Sequence, residues 1–167
     1  MKLSRAALVC GLVLAGDAAR GMAPMSLPDF PLTALDSRIL YSAELPNHGR
    51  WLLVYVMPAS HPSRTFLGVL NKKQQRLDVA RIVVVVRGTI DAARAVAEGC
   101  PNLADASWYA DPEGKAFARL RLVGVPTVLG LRGRTAEWKL NGTLPDAELR
   151  SVLLSWLGAD ASPMPQP

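Results

Sequence analysis

Cysteine is the scarcest informative residue in this chain. There are two in 167 residues, Cys10 and Cys100, and Cys10 lies inside an apolar N-terminal run. One remaining thiol makes neither an internal disulfide nor a two-thiol redox pair, which is telling for a chain expected in an oxidising compartment. Histidine is equally scarce. His48 and His61 are the only two, and they lack metal-ligand spacing, so neither a metal nor another cofactor is expected. No charge of one sign accumulates. Nineteen basic residues against fourteen acidic ones give +5, but they are scattered, with Lys72-Lys73 the densest stretch. That describes a solvated surface and excludes a nucleic-acid partner. Long hydrophobic runs are missing as well. The apolar stretch 6–16 is eleven residues long, too short to cross a bilayer as a helix, and no other stretch qualifies. There are no internal repeats and no Gly-x-Ser-x-Gly nucleophile elbow.

What is present reads as one globular domain. Half the residues are apolar and a fifth are charged, enough to bury a core. The first residues form a leader: Lys2 and Arg5, then "AALVCGLVLAG", then small residues at Gly16-Asp17-Ala18 and Ala19-Arg20-Gly21 that suit cleavage. The expected organisation is a signal peptide over 1–21, a domain over 22–158 and a disordered tail over 159–167. The mature protein is expected in a periplasm or secreted, with no membrane span; retention of the leader as an N-terminal anchor is the alternative.

Hydrophobic periodicity then alternates between strand and helix. Residues 22–28 read as an extended lead-in. "DFPLTALDSRILYS" reads as two short strands around Asp36-Ser37-Arg38, followed by a helical turn from Ser42 to Glu44. "WLLVYV" (51–56) and "RIVVVV" (81–86) are continuous apolar runs of the kind buried on both faces. Between them a helix opens at Pro62, with Phe66, Val69, Leu70 and Leu77 inward. A second helix follows Gly88-Thr89 and stops at Gly99-Cys100-Pro101. "ASWYA" is a strand. Asp111-Pro112-Glu113 reads as a helix start with Asp111 as the cap, burying Phe117 and Leu120. "VPTVLGL" and "TAEWKL" form a hairpin. The last helix, 145–157, carries Leu149, Val152, Leu153, Trp156 and Leu157 on one face. The pattern predicts an α/β domain with a mixed sheet and helices on both faces, parallel in the middle through right-handed βαβ crossovers. Trp51, Trp108, Trp138 and Trp156 are expected to pack in the core or on the sheet.

This order, with the residues at its joints, resembles the thioredoxin fold and, more closely, extracytoplasmic thiol–disulfide proteins of the TlpA/ResA type. The resemblance covers roughly residues 27–157. "LPDFPLTALDSRILYSAEL" is similar to that family's opening hairpin and short helix. "WLLVYVMPASHPSR" is similar to its strand, active-site loop and Arg. The remainder is similar to its inserted αβ element, cis-proline loop and final hairpin. Gly124-Val125-Pro126-Thr127 is the most specific stretch. The departure is at the reactive turn: where the family carries Trp-Cys-x-Pro-Cys, this chain has Ala59-Ser60-His61-Pro62-Ser63.

That departure decides the chemistry. Disulfide exchange needs a thiolate, which a helix N-terminus helps to ionise, and a second thiol to resolve the mixed disulfide. A serine hydroxyl ionises far too weakly, and two serines store no oxidised pair. Ser60 and Ser63 are therefore degenerate positions, with no catalytic residue expected. Ser60 next to His61 does not make a hydrolase, since adjacent side chains seldom converge on one proton; Ser60 is expected to cap the helix and His61 to be exposed. Cys100, the one candidate reactive thiol, should sit at the opposite edge of the sheet from Ser60, at least about 15 Å away along the helix. The resemblance implies a groove lined by Ala59, Ser60, His61, Pro62, Val125 and a cis Pro126, in which Val125 pairs with an extended peptide or partner protein. Two readings follow: a redox-silent binding protein, or a thiol–disulfide or peroxidase-like enzyme acting through Cys100.

Overall fold

The computed structural model describes residues 20–46, 48–72 and 77–158. The expected signal peptide 1–21 lies outside the described residues except for Arg20 and Gly21, and the expected tail 159–167 lies outside them. The strands are β1 (Arg20–Ser26), β2 (Pro31–Ala34), β3 (Ile39–Tyr41), β4 (Arg50–Val56), β5 (Ile82–Arg87), β6 (Ser107–Asp111), β7 (Thr127–Arg132) and β8 (Thr135–Asn141). The helices are α1 (His61–Leu70), α2 (Ile90–Glu98), α3 (Lys115–Arg119) and α4 (Asp146–Gly158). All eight strands form one sheet in the order β1-β8-β7-β4-β5-β6-β2-β3. β4, β5 and β6 run parallel; every other pairing is antiparallel.

The apolar runs sit in the middle because only there are both faces covered. All of Trp51 to Val56 and all of Ile82 to Val86 are buried. Alternation along β4 divides the core in two. Leu52, Val54 and Val56 point to α1, α2 and α4. Trp51, Leu53 and Tyr55 point to α3 and the β2–β3 hairpin. Helices thus cover both faces, as the pattern predicts. The hairpin turns at Asp36, whose carboxylate accepts from the Arg38 N–H at 3.0 Å. At its exposed edge, Glu44 accepts from the Tyr41 N–H at 2.8 Å.

Three local expectations need correcting. The extended lead-in is more than that over 22–26, where it belongs to a strand: β1 pairs with β8, Arg20 opposite Lys139 and Ser26 opposite Thr135. The helix after Pro62 does not reach Leu77. It ends at Leu70 with Asn71 as C-cap, because the Asn71 side chain turns to the neighbouring helix, donating to Gly99 O at 3.3 Å and accepting from Asn102 N–H at 3.0 Å. Leu77, before β5, is buried in the same core as Phe66 and Leu70. Asp111 is not the cap of the next helix. It ends β6, and α3 begins four residues later behind Gly114, whose φ of 70° suits glycine. Asp111 is drawn inward by a side chain on another strand, described below.

Candidate functional site

β4 ends where α1 begins, and the turn between them is built from its own polar atoms. Ser60 is the N-cap of α1: its Oγ accepts from the Ser63 N–H at 3.4 Å. Ser63 Oγ in turn accepts from the Met57 N–H at 3.2 Å, and Ser63 is buried. Arg64 reaches back over the turn, its Nη1 donating to Pro58 O at 3.1 Å and Ala59 O at 3.2 Å. Ala59, His61 and Pro62 are exposed. Both serine oxygens therefore serve as hydrogen-bond acceptors that close the turn. Neither is presented to a base, and His61 donates to nothing that would orient it among the described residues. The same residues hold no cluster of metal-ligating side chains.

β7 lies beside β4 in antiparallel register, with Tyr55 opposite Thr127. That brings the loop before β7 level with the 57–63 turn. The Val125–Pro126 peptide bond is cis. The loop is held at both ends: Thr127 Oγ1 donates to Gly124 O at 2.7 Å, and the Gly142 N–H donates to Pro126 O at 2.8 Å. Between these anchors, neither the N–H nor the C=O of half-buried Val125 has a partner among the described residues. Val123, two residues earlier, is 83% exposed. The expected groove residues Ala59, Ser60, His61, Pro62, Val125 and Pro126 thus fall at one end of the sheet, around the junction of β4 and β7.

Cys100 is elsewhere. It follows the C-cap of α2 at Gly99, level with the Asn71 that ends α1, so the length of α1 separates it from Ser60. It is 6% exposed, and burial pushes its thiol pKa up. A thiol held protonated is a poor nucleophile. A groove of about 300 Å³ between α1 and α2 connects Met57 and Pro58 to Cys100.

Sequence reasoning missed one buried polar pair. The Tyr55 hydroxyl donates to Asp111 Oδ2 at 2.7 Å, both residues being buried, and the Phe117 N–H donates to the same oxygen at 3.2 Å. Asp111 thus holds the start of α3 from the end of β6. The Arg87 guanidinium lies 5.0 Å over the Phe117 ring. Burial, and then the bond and charge of Asp111, raise the Tyr55 pKa well above the ordinary phenol range, against a smaller lowering by Arg87. A raised folded-state value means that this stabilisation is complete below the unfolded value of about 10 and is lost as pH rises beyond it. Tyr55→Phe should cost about 1–3 kcal/mol at pH 8, because a buried carboxylate loses a donor. Its urea midpoint should then fall less steeply than the parent's between pH 9 and pH 11. Parallel declines would show that Tyr55 is not the alkaline-sensitive group.

Comparison with known proteins places the fold. No protein-family model matches the chain, and no curated protein matches it. Solved structures do. A peroxidoxin, BcpB, from Mycobacterium tuberculosis superposes with a TM-score of 0.64 at 15% identity, over 86% of this chain and all (100%) of that one. A secreted thiol-disulfide isomerase from Corynebacterium glutamicum gives 0.61 at 13% identity, over 89% and 96%. A secreted Mycobacterium tuberculosis disulfide oxidoreductase, described as homologous to Escherichia coli DsbE, gives 0.60 at 15% identity, over 75% and 95%. The fold is thioredoxin-like, with neighbours among thiol-disulfide oxidoreductases and peroxiredoxin-like redoxins. No helix among the described residues is long and apolar enough to cross a membrane.

Proposed function

We propose that this thioredoxin-like fold serves as a redox-silent, extracytoplasmic binding protein that holds an extended peptide segment of a partner protein along Val125, beside the turn 59–62. The open N–H and C=O of Val125 carry the reading. An added strand satisfies both groups at once. Ala59 leaves the approach uncovered, with exposed Val123 beside it for an apolar side chain. The N-terminal leader pattern supports the location.

Panning a library of random peptides on the purified protein tests this. Binders should lose roughly tenfold or more in affinity on Val125→Asp, because a bound strand would have to desolvate the new carboxylate beside the pairing edge. Peptides bound equally by the variant, or no enriched peptide, would refute it.

The second reading, an enzyme acting through Cys100, is favoured by the redox chemistry named for proteins of similar fold. Burial and the raised pKa of that thiol weigh against it. Insulin reduction by dithiothreitol separates the two. The binding protein should not accelerate it, and acceleration abolished by Cys100→Ser would establish the enzyme.

A further inference from the structure

The groove between α1 and α2 lies on the β5 side of α1, away from Val125, and peptide binding makes no use of it. Its walls are apolar: Met57, Leu67, Ala95, Val96 and Cys100 contribute, and Gly68 and Gly99 leave room. Most of its polar atoms are engaged. Ser63 Oγ accepts from Met57 N–H, the Asn71 side chain is bound to Gly99 and Asn102, and Arg64 Nη1 donates to two carbonyls. The walls thus offer an occupant few polar groups, so most of it must be hydrocarbon.

The mouth is different. Arg64 stands there, exposed, with only one of its nitrogens engaged. No carboxylate pairs with it among the described residues, no acidic residue lines the groove, and the first turn of α1 contains none. A cation with no counter-charge among the described residues, beside a mostly apolar groove, selects an amphiphile with an anionic head. The groove follows α1 from Ser63 to Asn71, roughly 12 Å of helix, the reach of a chain of about ten carbons.

We propose that the α1–α2 groove binds a medium-chain fatty carboxylate, its head on Arg64 and its chain running toward Cys100. The charge of Arg64 supplies the orientation and part of the affinity; burial of the chain against Leu67, Val96 and Met57 supplies the rest.

Sodium decanoate is the probe, below its micelle concentration, with decan-1-ol as the uncharged chain and acetate as the head alone. Calorimetry on the purified protein should show decanoate binding, acetate not binding, and decan-1-ol binding roughly tenfold more weakly. Arg64→Gln should remove that advantage while leaving decan-1-ol unchanged. Ala95→Phe, an exposed position that narrows the groove, should abolish both, with circular dichroism confirming an intact fold. Decanoate should also slow alkylation of Cys100, followed by mass spectrometry on the Cys100 peptide. Absence of decanoate binding up to about 1 mM, equal affinity in Ala95→Phe, or a decanoate preference that survives Arg64→Gln would overturn the assignment. None of these results bears on peptide capture at Val125, so the two proposals fail separately.

Discussion

The double substitution Ser60→Cys/Ser63→Cys should confer thiol–disulfide chemistry on the protein. Ser60 is the N-cap of a ten-residue helix and Ser63 is its third residue. Helix positions three apart bring their Cβ atoms to about 5–6 Å, a separation that small rotations reduce to disulfide distance. The first thiol would inherit the amide and dipole environment that now serves the Ser60 oxygen. Helix N-termini hold cysteine pKa values at about 3.5–7.5, against about 8.5 for a free thiol. A value near 7 leaves half the thiol ionised at neutral pH, roughly fifteen times the fraction of an ordinary cysteine. The double variant should therefore gain two titratable thiols that disappear on oxidation, and should accelerate insulin reduction by at least about tenfold over the parent. Ser60→Cys alone should gain a reactive thiol without closing a disulfide. Ser63→Cys alone should be sluggish, since that position is buried behind Met57. A double variant that closes its disulfide yet fails to reduce insulin would mean that the turn has lost more than sulfur. In that event the open backbone at Val125 would no longer imply a usable peptide groove.

Gly130→Ala should be strongly destabilising for the addition of one methyl group. Gly130 lies mid-strand in β7, and a methyl group there would overlap the Trp138 indole from β8. The indole has nowhere to go. Trp138 is buried and meets Trp156 edge-on, ring centroids 5.9 Å apart. Trp156 is fixed in turn, its Nε1 donating to Trp51 O at 3.1 Å and the Arg50 guanidinium stacked 4.7 Å over its ring. Overpacking a core costs about 1–3 kcal/mol when side chains can yield. Here a chain of aromatic contacts joining β8, α4 and β4 must yield together, so the upper end is expected. About 3 kcal/mol lowers the melting temperature by roughly 10 °C in a chain of this size. The control is Trp138→Leu. It should be destabilising alone, yet remove most of the alanine penalty when combined, giving a coupling of at least about 1 kcal/mol. Additive effects would locate the strain in the backbone instead of the indole.

Little in the sequence announces that glycine. Gly130 sits in "VPTVLGL", where a central glycine usually weakens a strand, and its partner Trp138 is eight residues away across a hairpin. The strands themselves were legible, because "WLLVYV" and "RIVVVV" can be buried only in the middle of a sheet. So was the end of α2 at Gly99, from the turn chemistry. The Asp111 cap misled because Asp-Pro-Glu is a strong local helix signal, and only the fold brings Tyr55 close enough to claim the carboxylate. The extent of α1 misled for a similar reason: Leu77 keeps the helical period, but Asn71 bonds to α2.

What the sequence determines by itself is the alternation of elements and the absence of a thiol at the turn, since periodicity, capping residues and atom type are local properties of the chain. What only the tertiary structure decided is which polar groups remain open. Among the described residues, Ser60 and Ser63 accept from backbone amides, no carboxylate pairs with Arg64 beside an apolar groove, and the Val125 N–H and C=O have no partner. Hydrogen-bond and charge satisfaction are sums over partners brought together from distant parts of the chain, and no local window of sequence contains them.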